Sequence, residues 1–398
     1  MIHADPTFSK KAQLASSSQN EKVVMALSGG MHSGVAASLL KNQGVALLGV
    51  HLVFPAPKSG SLGALTQKVL PRCVGDSQKS LERAQVQAKK LGIPLEVVHL
   101  DSVFEERWTD RILHELLESR FPNPCMICKS NVLLPELLTT AARLTGRADA
   151  RVATGHCVRV SDDLQSGERV LQVGVDPLRD HSFWLSRVSS VDLKRMVFPV
   201  GELSSKLLIR LAQESGLSAA DHDTAQGVEA QCVGRTKESL DWVDQMIPAS
   251  LKRPGAVRTP GGTHINSHDG MFRHHLGQKL ISAEVSLDKQ DVFVIQMDRV
   301  KNLVLVGNTS PMMSSRWILK KALWRRPRMN PLGEVLAFRV QSRGDLLDAK
   351  LIGFEGGAVR MEIQGNKALS AGVGQMVVFY QGDEVVLSAE IDQIAPAV

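Results

Sequence analysis

The chain has 398 residues, of which 43% are hydrophobic and 22% are charged. This composition is typical of a globular protein with two or three domains, and it excludes a largely disordered chain. No apolar run of roughly 18 residues occurs, so the sequence predicts no membrane span. The net charge of the chain is +6. Residues 309–350 carry nine Lys/Arg and three Asp/Glu, so the excess of positive charge in this segment equals the net charge of the whole chain. Such a basic field favours a polyanionic partner, although a solvated basic face has the same composition.

Five cysteines are too few, and odd in number, for a disulfide scaffold. Their number predicts a reducing compartment, with some thiols kept for chemistry. Residues 1–20 are polar, lack the apolar core of a secretory signal and are predicted to be flexible. We therefore expect a cytoplasmic location. The mitochondrial matrix is the alternative, because Lys10, Lys11 and the serines at 16–18 would suit a presequence.

The N-terminal half alternates short apolar strands with helical runs. Strands are predicted at 22–27, 46–54 and 95–100, and helices at 35–42 and 80–91. This alternation predicts a parallel sheet with helices on both faces and ligands at the carboxyl ends of its strands. A further capped helix is predicted after Ser204, ending at Gly216.

Beyond about residue 250, short alternating runs rich in valine and glycine replace the helical pattern. They are predicted to form antiparallel strands at 291–297, 303–307, 337–340, 359–363 and 375–380. The C-terminal third is therefore predicted to be all-β.

The segment Ser28-Gly-Gly-Met-His-Ser33 stands between the first predicted strand and helix. Glycines let backbone N–H groups approach an anion, and a helix N-terminus attracts one, although a plain turn would also explain the glycines. The segment resembles the SGGxDS loop of the PP-loop ATP pyrophosphatase superfamily, with His32 in place of Asp. An imidazole does not replace a carboxylate in charge balance with Mg²⁺, so the sequence predicts impaired turnover or a compensating ligand elsewhere.

Cys125 and Cys128 form a Cys-x-x-Cys pair that two prolines precede. This spacing suits redox exchange or two ligands of a metal site. A structural zinc site would need two more ligands, for which His156, Cys157 and Cys232 are candidates.

These motifs, taken together, resemble the tRNA-specific 2-thiouridylase family. The ordered matches run from about residue 22 to 392 and comprise Asn123-Pro-Cys-x-x-Cys128, Ala153-Thr-Gly-His156, Asp180-His-Ser-Phe-Trp-Leu185, Phe198-Pro-Val-Gly201, Leu276-Gly-Gln-Lys279 and Gly374-Gln375 with Val378-Phe-Tyr380. The resemblance implies that ATP, with Mg²⁺, adenylates C2 of the wobble uridine in the tRNA anticodon stem-loop. Sulfur would then come from a cysteine persulfide, supplied by a cysteine desulfurase or a sulfur-relay protein.

The resemblance also implies residue roles. It assigns the ATP phosphates to Ala26, Leu27, Ser28, Gly29, Gly30, Met31, His32 and Ser33, and the adenine side to Leu52 and Gly155. It assigns tRNA contacts to Asn123, Pro124, Cys125, Arg179, Asp180, His181, Ser342 and Arg343. It makes Cys128 the nucleophile, and no residue is assigned to a resident metal.

The persulfide carrier depends on the alignment of residues 226–234. An ungapped match puts Glu229 at the cysteine position, whereas a short insertion puts Cys232 there, and we expect the insertion because loops tolerate it. A structural role for Cys232 is the alternative. Two further residues differ from the family pattern: Lys129 stands where the family has Asn, and His181 stands where it has Gln.

The predicted architecture is an α/β PP-loop parallel-sheet domain, then a β-rich central domain, then a C-terminal β-barrel. The predicted boundaries are 21–205 for the PP-loop domain, 206–310 for a central tRNA-binding domain and 311–398 for the barrel. Three alternatives stay open: a tRNA-binding paralogue with an impaired ATP site, an iron–sulfur variant with Cys125, Cys128 and Cys232 as ligands, and another PP-loop enzyme.

Overall fold

The computed structural model describes residues 22–55, 77–163, 167–217, 247–280, 291–308, 316–325, 331–365 and 371–394. They fold into two compact units, of which the first takes residues 22–55, 77–101, 129–163 and 167–217. Residues 102–128, inside the predicted N-terminal domain, belong instead to the second unit. Contacts with the C-terminal part of the chain hold them there. The Phe121 N–H donates to the Val373 carbonyl, and Arg120 lies 3.5 Å from both Glu390 and Asp392.

A five-stranded parallel sheet forms the centre of the first unit. In spatial order its strands are β3 (Leu95–His99), β2 (Leu47–Val53), β1 (Val23–Ala26), β4 (Val152–Ala153) and β7 (Met196–Val197). Val24 of β1 pairs with Leu48 on one side and Val152 on the other. The predicted parallel sheet is confirmed, and the segments that follow β1 and β4 emerge at the same edge. Strands β5 (Val158–Asp162) and β6 (Arg169–Val173) form an antiparallel pair.

Helices cover this sheet. They are α1 (Met31–Asn42), α2 (Ser77–Leu91), α6 (Leu134–Thr145) and α9 (Ser205–Glu214), whereas the short helices α7 (Ser182–Leu185) and α8 (Ser190–Arg195) contact β6. Their apolar faces enclose a core that includes Met25, Val35, Ala88 and Ala212, each at most 3% exposed. The predicted cap of α9 is confirmed, because the Ser204 side chain accepts the Leu207 N–H.

In the second unit, residues 102–128 form a compact helical segment. It contains α3 (Asp101–Phe104), a π-helical stretch (Glu105–Thr109), α4 (Asp110–Leu117) and α5 (Pro124–Ile127); a second π-helical stretch (Cys128–Leu133) leads into α6. Trp108 stacks on Phe104 at 4.6 Å between ring centroids and is 1% exposed. No helix in the described ranges is long and apolar enough to cross a membrane.

A five-stranded sheet follows in the second unit. In spatial order its strands are β10 (Lys279–Leu280), β11 (Val292–Asp298), β12 (Leu303–Gly307), β8 (Gly255–Arg258) and β9 (His264–His268). The expectation of purely antiparallel pairing is wrong for β12 and β8, where Val304 pairs in parallel with Val257. The two strands are far apart in the sequence, and alternating hydrophobicity carries no information about such a distant partner.

Six strands close into the predicted C-terminal barrel. They are β13 (Arg316–Trp324), β14 (Val335–Arg339), β15 (Leu347–Glu355), β16 (Ala358–Ile363), β17 (Met376–Gln381) and β18 (Glu384–Ile394). The order is β13-β16-β15-β14-β17-β18, and an antiparallel pairing of β13 with β18 completes the ring. Inward-facing side chains fill it, including Trp317, Phe338 and Phe379, so the interior is a packed core rather than a channel.

Candidate functional site

The turn between β1 and α1 is braced by its own serines. Ser33 Oγ donates to the Gly30 carbonyl at 2.9 Å and accepts the Ser28 N–H at 3.2 Å. Ser28 Oγ lies 3.0 Å from Ser33 Oγ and accepts the Gly30 N–H at 3.3 Å. Helix α1 then begins without a side-chain cap, so its N-terminal dipole and backbone N–H groups remain suited to an anion.

Two glycines allow this turn to pack closely. Gly29 has φ +77°, and a Cβ there would lie 2.3 Å from the Ser80 carbonyl oxygen of α2. A Cβ at Gly155 would lie 2.6 Å from the Ser33 backbone nitrogen. The segment after β4 therefore touches the start of α1, and the structure brings Gly155 to the predicted phosphate loop.

Two buried side chains that the sequence interpretation missed hold the loop from behind. The Gln87 amide donates to the Gly29 and Gly30 carbonyls, each at 3.3 Å. His51 lies 2.6 Å from the Leu27 carbonyl through Nδ1, which donates as an N–H, and burial lowers its pKa. A polar residue inside a predicted buried strand, such as His51, was the available sequence signal.

Five basic side chains of the first unit lie together beside this loop. We term them the basic cluster: His32, Lys129, His156, Arg179 and His181. The His156 and His181 ring centroids are 5.5 Å apart, and those of His32 and His181 are 6.5 Å apart. Lys129 Nζ lies 3.3 Å from His156 Nε2, and Arg179 Nη1 lies 3.1 Å from His32 Nε2.

The contacts of the cluster indicate which imidazole nitrogens carry protons. Lysine and arginine only donate, so Nε2 of His156 and Nε2 of His32 are the acceptors in these contacts. His156 Nδ1 then donates to Thr154 Oγ1 at 2.9 Å. His181 Nδ1 accepts the Cys157 N–H at 2.9 Å. Burial lowers the pKa of His156 well below its usual range, and the charges of Lys129, His181 and His32 lower it further.

A hydrogen-bond chain orients Arg179. Its Nε donates to Ser205 Oγ at 2.7 Å, and that hydroxyl donates in turn to the Asp176 carboxylate. Burial alone would raise the pKa of Asp176, but hydrogen bonds from Ser205 and Leu178 and the charge of Arg179 lower it. Asp176 is therefore an ionised anchor at the start of α9, and it fixes the guanidinium beside His32.

Asp180 lies inside the first unit, although the resemblance predicts a tRNA contact. Its carboxylate accepts the N–H groups of Gly174 and Ser182, each at 3.0 Å, and the Ser182 hydroxyl at 2.6 Å. The side chain is 7% exposed. Asp180 therefore shapes the turn that carries Arg179 and His181, which are both half-buried.

The residues around this loop do not fit a protein-held Mg²⁺ ion. Mg²⁺ takes oxygen ligands, usually one or two carboxylates with phosphates and water. The charges that act on His156 are all basic, and Asp176 and Asp180 are engaged by the protein itself. Across the described ranges, no group of three or more His, Cys, Asp or Glu side chains is arranged to hold a metal ion.

The predicted cysteine loop lies in the second unit and is tied down by Asn123. This residue has φ +46° and ψ +52°, the left-handed conformation that asparagine tolerates. Its amide nitrogen donates to the Gly374 carbonyl at 2.6 Å and to the Phe121 carbonyl at 3.1 Å, and its amide oxygen accepts the Met376 N–H at 3.0 Å. Asn123, a predicted base contact, therefore joins the Asn-Pro-Cys motif to the Gly374-Gln375 motif.

The backbone at Gly374 needs a glycine for this contact. Its φ is +93°, and a Cβ would lie 2.6 Å from the Phe121 nitrogen. Gln375 is 5% exposed and donates to the Val340 carbonyl at 2.6 Å. Two sequence motifs about 250 residues apart thus form one rigid support for the cysteines.

The cysteine loop places its two thiols differently. Pro124 begins α5, and its carbonyl accepts the Trp108 indole N–H at 3.0 Å. Cys125 is half-buried, whereas Cys128 is only 9% exposed at the end of the short helix. Cys128 is therefore the less accessible of the two thiols.

The remaining predicted residues lie in β2 and in the barrel. Leu52 is half-buried in β2; in the barrel Ser342 is 3% exposed and Arg343 is exposed. Trp324 packs edge-on against Phe354 at 5.5 Å between ring centroids. Cys232 and the rest of 226–234 lie outside the described residues.

Comparison with known proteins first defines a class. The family description "tRNA methyl transferase HUP domain" matches residues 21–231. This range contains the phosphate loop, the basic cluster and the cysteine pair.

Full-length relatives define the family more closely. The chain is 33% identical over 330 residues to the tRNA-specific 2-thiouridylase MnmA of Methylobacterium nodulans, covering 81% of each chain. It is 30% identical over 375 residues to that of Rhodopseudomonas palustris, covering 93% of this chain and 89% of the relative. The chain belongs to the tRNA-specific 2-thiouridylase family. A solved U34-tRNA thiolase NcsA from Methanococcus maripaludis, with its [4Fe-4S] cluster, aligns at a TM-score of 0.30 and 17% identity over 57% of this chain and 65% of its own.

Proposed function

We propose that this chain transfers sulfur to C2 of the wobble uridine of tRNA in an ATP-dependent reaction. Two structural features, found in a member of this family, support the proposal most strongly. One is an uncapped helix N-terminus behind a serine-braced glycine turn, and the other is a cysteine loop bonded to the Gly374-Gln375 segment.

The first unit supplies the nucleotide site in this proposal. The turn from Ala26 to Ser33 binds phosphates through backbone N–H groups and the dipole of α1. Leu52 and Gly155 flank the adenine. Arg179 and Lys129 stabilise negative charge as the C2 oxygen attacks the α-phosphorus and pyrophosphate leaves. The uracil oxygen is a poor leaving group, and adenylation makes it a good one.

The cysteines carry the sulfur steps. The terminal sulfur of a Cys232 persulfide attacks C2 and displaces AMP, leaving the base joined to Cys232 through a disulfide. The Cys128 thiolate then attacks the Cys232 sulfur, so that the 2-thiolated base is released and a Cys128–Cys232 disulfide forms. A thiol reductant and a persulfide donor, such as a cysteine desulfurase or a sulfur-relay protein, reset the chain.

The tRNA would contact both units. The exposed Arg343 and the half-buried Arg179 and His181 supply cationic or hydrogen-bonding groups for the anticodon stem-loop. The base itself must leave the anticodon stack to reach the cysteines. Pro124 and Cys125 would line the path of the base, and the hydrogen bonds of Asn123 would fix the backbone that carries them.

One observation favours a second candidate, a tRNA-binding paralogue without turnover. His32 replaces the acidic residue of the loop motif, and Arg179 Nη1 lies 3.1 Å from its Nε2. An imidazole in that position gives no carboxylate to a magnesium-bound nucleotide.

Thiolation of a transcribed tRNA that bears uridine at the wobble position separates these candidates. Purified protein, ATP, Mg²⁺ and a persulfide donor are incubated with the tRNA, and mercury-gel retardation reports sulfur. We expect incorporation by the wild type and its loss in Cys128→Ser and in Cys232→Ser. Cys157→Ala, which removes a buried core thiol, is the matched control and should retain incorporation.

Other outcomes change the proposal. Loss only in Cys128→Ser would remove Cys232 as the carrier and point to another thiol. No incorporation by the wild type, with tRNA still bound, would favour the paralogue. A brown anaerobic preparation that alone is active would favour the iron–sulfur variant.

A further inference from the structure

The basic cluster brings basic side chains from separate elements together beside the phosphate loop. His32 comes from α1, Lys129 from the π-helical stretch, and His156 from the segment after β4. Arg179 and His181 come from the turn before α7. The direct contacts are Lys129 to His156 and Arg179 to His32, at 3.3 Å and 3.1 Å. These side chains are fixed in place before any ligand arrives, because each is bonded to another group of the protein.

The positive charge of this cluster equals the charge that a Mg²⁺ ion would bring to a bound nucleotide. A nucleotide triphosphate carries roughly three to four negative charges near neutral pH, because the second ionisation of a phosphate has a pKa of about 6. A bound Mg²⁺ ion would supply two positive charges. Lys129 and Arg179 together supply the same charge from fixed positions. Asp176 and Asp180, the carboxylates on the same turn, are engaged by Ser205 and by Gly174 and Ser182.

We propose that Lys129, Arg179 and the three imidazoles neutralise the phosphates of the ligand at this loop in place of a divalent cation. A nucleotide triphosphate or pyrophosphate then binds without Mg²⁺, and protons bind with it. This inference rests on the proposed function only in taking the loop as the ATP site.

Proton uptake follows from the state of His156. Its pKa is low because the ring is buried and because Lys129, His181 and His32 repel a further positive charge. A polyanion beside these groups reverses the electrostatic part of that effect and favours the protonated ring. By linkage, the ligand must then bind more tightly as the pH falls.

The alternative use of three histidines, a transition-metal site, does not fit the contacts. His156 Nε2 faces the Lys129 ammonium, and its Nδ1 is bonded to Thr154. His181 Nδ1 is taken by the Cys157 N–H. A metal ion would have to displace these partners beside two permanent cations, which is electrostatically unfavourable.

Isothermal titration calorimetry of the intact chain tests the inference. ATP and, separately, pyrophosphate are titrated in EDTA and in excess Mg²⁺, in two buffers of different ionisation enthalpy. We expect the Kd in EDTA to be within about threefold of that in Mg²⁺, with net proton uptake on binding. Lys129→Gln should weaken binding in EDTA about tenfold, as for loss of a strong ionic contact. Lys194→Gln, an exposed lysine of the same unit, is the matched control and should bind as the wild type does.

A second variant keeps the test decisive if Lys129→Gln fails to fold. His32→Asp should lose affinity in EDTA and keep it in Mg²⁺, because the carboxylate restores a ligand for the ion. If the wild type binds more than tenfold more tightly with Mg²⁺ than in EDTA, or takes up no protons, the inference is overturned. The assignment of the loop as the ATP site would still hold. Failure to bind ATP or pyrophosphate under either condition overturns the inference and also the nucleotide site of the proposed function.

Discussion

Two histidines of the second unit predict a loss of stability in mild acid. His274 and His275 follow the 3₁₀ turn Met271–Arg273, and burial lowers the pKa of each from 6.5 to about 4. The His275 ring packs edge-on against Phe121 at 5.5 Å between centroids. A Cβ at Gly372 would lie 2.4 Å from its Nδ1, so the ring has little room for a hydration shell.

The sign and size follow from linkage. The unfolded chain protonates these imidazoles below a pKa of about 6.5, whereas the folded chain keeps them neutral down to about pH 4. The unfolded state therefore binds more protons in this window, and stability falls as the pH drops from 6.5 to 4. At pH 5 the difference is about 1.5 pH units for each ring, or about 2 kcal/mol per histidine and about 4 kcal/mol for the pair.

Urea unfolding of the intact chain at pH 8, 6.5 and 5, followed by circular dichroism, measures this loss. The variant His274→Gln/His275→Gln removes both titrations and should flatten the pH dependence of the free energy of unfolding by about 4 kcal/mol. His114→Gln and His264→Gln, on exposed positions, should leave the dependence as in the wild type. If the double variant lost as much stability as the wild type between pH 8 and pH 5, burial of these rings would not be the cause.

Further predictions concern the cysteine loop and the barrel. Gly374→Ala should destabilise the chain by several kcal/mol, because its Cβ would overlap Phe121; Gly382→Ala, with φ +61° and open space, should cost only about 1 kcal/mol. Equal melting temperatures for the two variants would contradict this. Asn123→Ala removes three hydrogen bonds and should cost about 1–3 kcal/mol while making the neighbouring thiols react faster with a maleimide. Unchanged reaction rates would show that Asn123 does not hold the loop. Arg343→Ala should weaken tRNA binding and reduce the salt slope by about 1, and an unchanged slope would remove this residue from the interface.

Local patterns in the sequence predict much of the fold. The parallel sheet follows from strands and helices that alternate over residues 22–100, and the cap at Ser204 follows from a serine before an apolar period. These features depend on neighbours a few residues away, so the chain itself carries the signal. The strand pairs of the barrel and the parallel pair of β8 and β12 depend on distant partners, which a single sequence does not specify.

The site divides in the same way. The glycine turn and the Cys-x-x-Cys pair are visible as motifs, whereas Gln87 and His51 support the turn through contacts that no motif records. The resemblance supplied Asp180 as a tRNA contact, yet the structure shows a buried carboxylate that shapes its own turn. A motif shows which residue stands at a position, but it does not show whether that residue serves packing, hydrogen bonding or ligand binding.

Along the sequence, His32, Lys129 and His181 are three separate departures from the family pattern. In the structure they act on one imidazole, His156, so they are electrostatically coupled. A carboxylate at position 32 would pair with Arg179 and leave less positive charge for a ligand. With an imidazole there, Arg179 has no carboxylate partner at position 32, and a bound polyanion would stabilise the folded chain. The three departures therefore form one electrostatic feature, which a ligand that carries negative charge would offset.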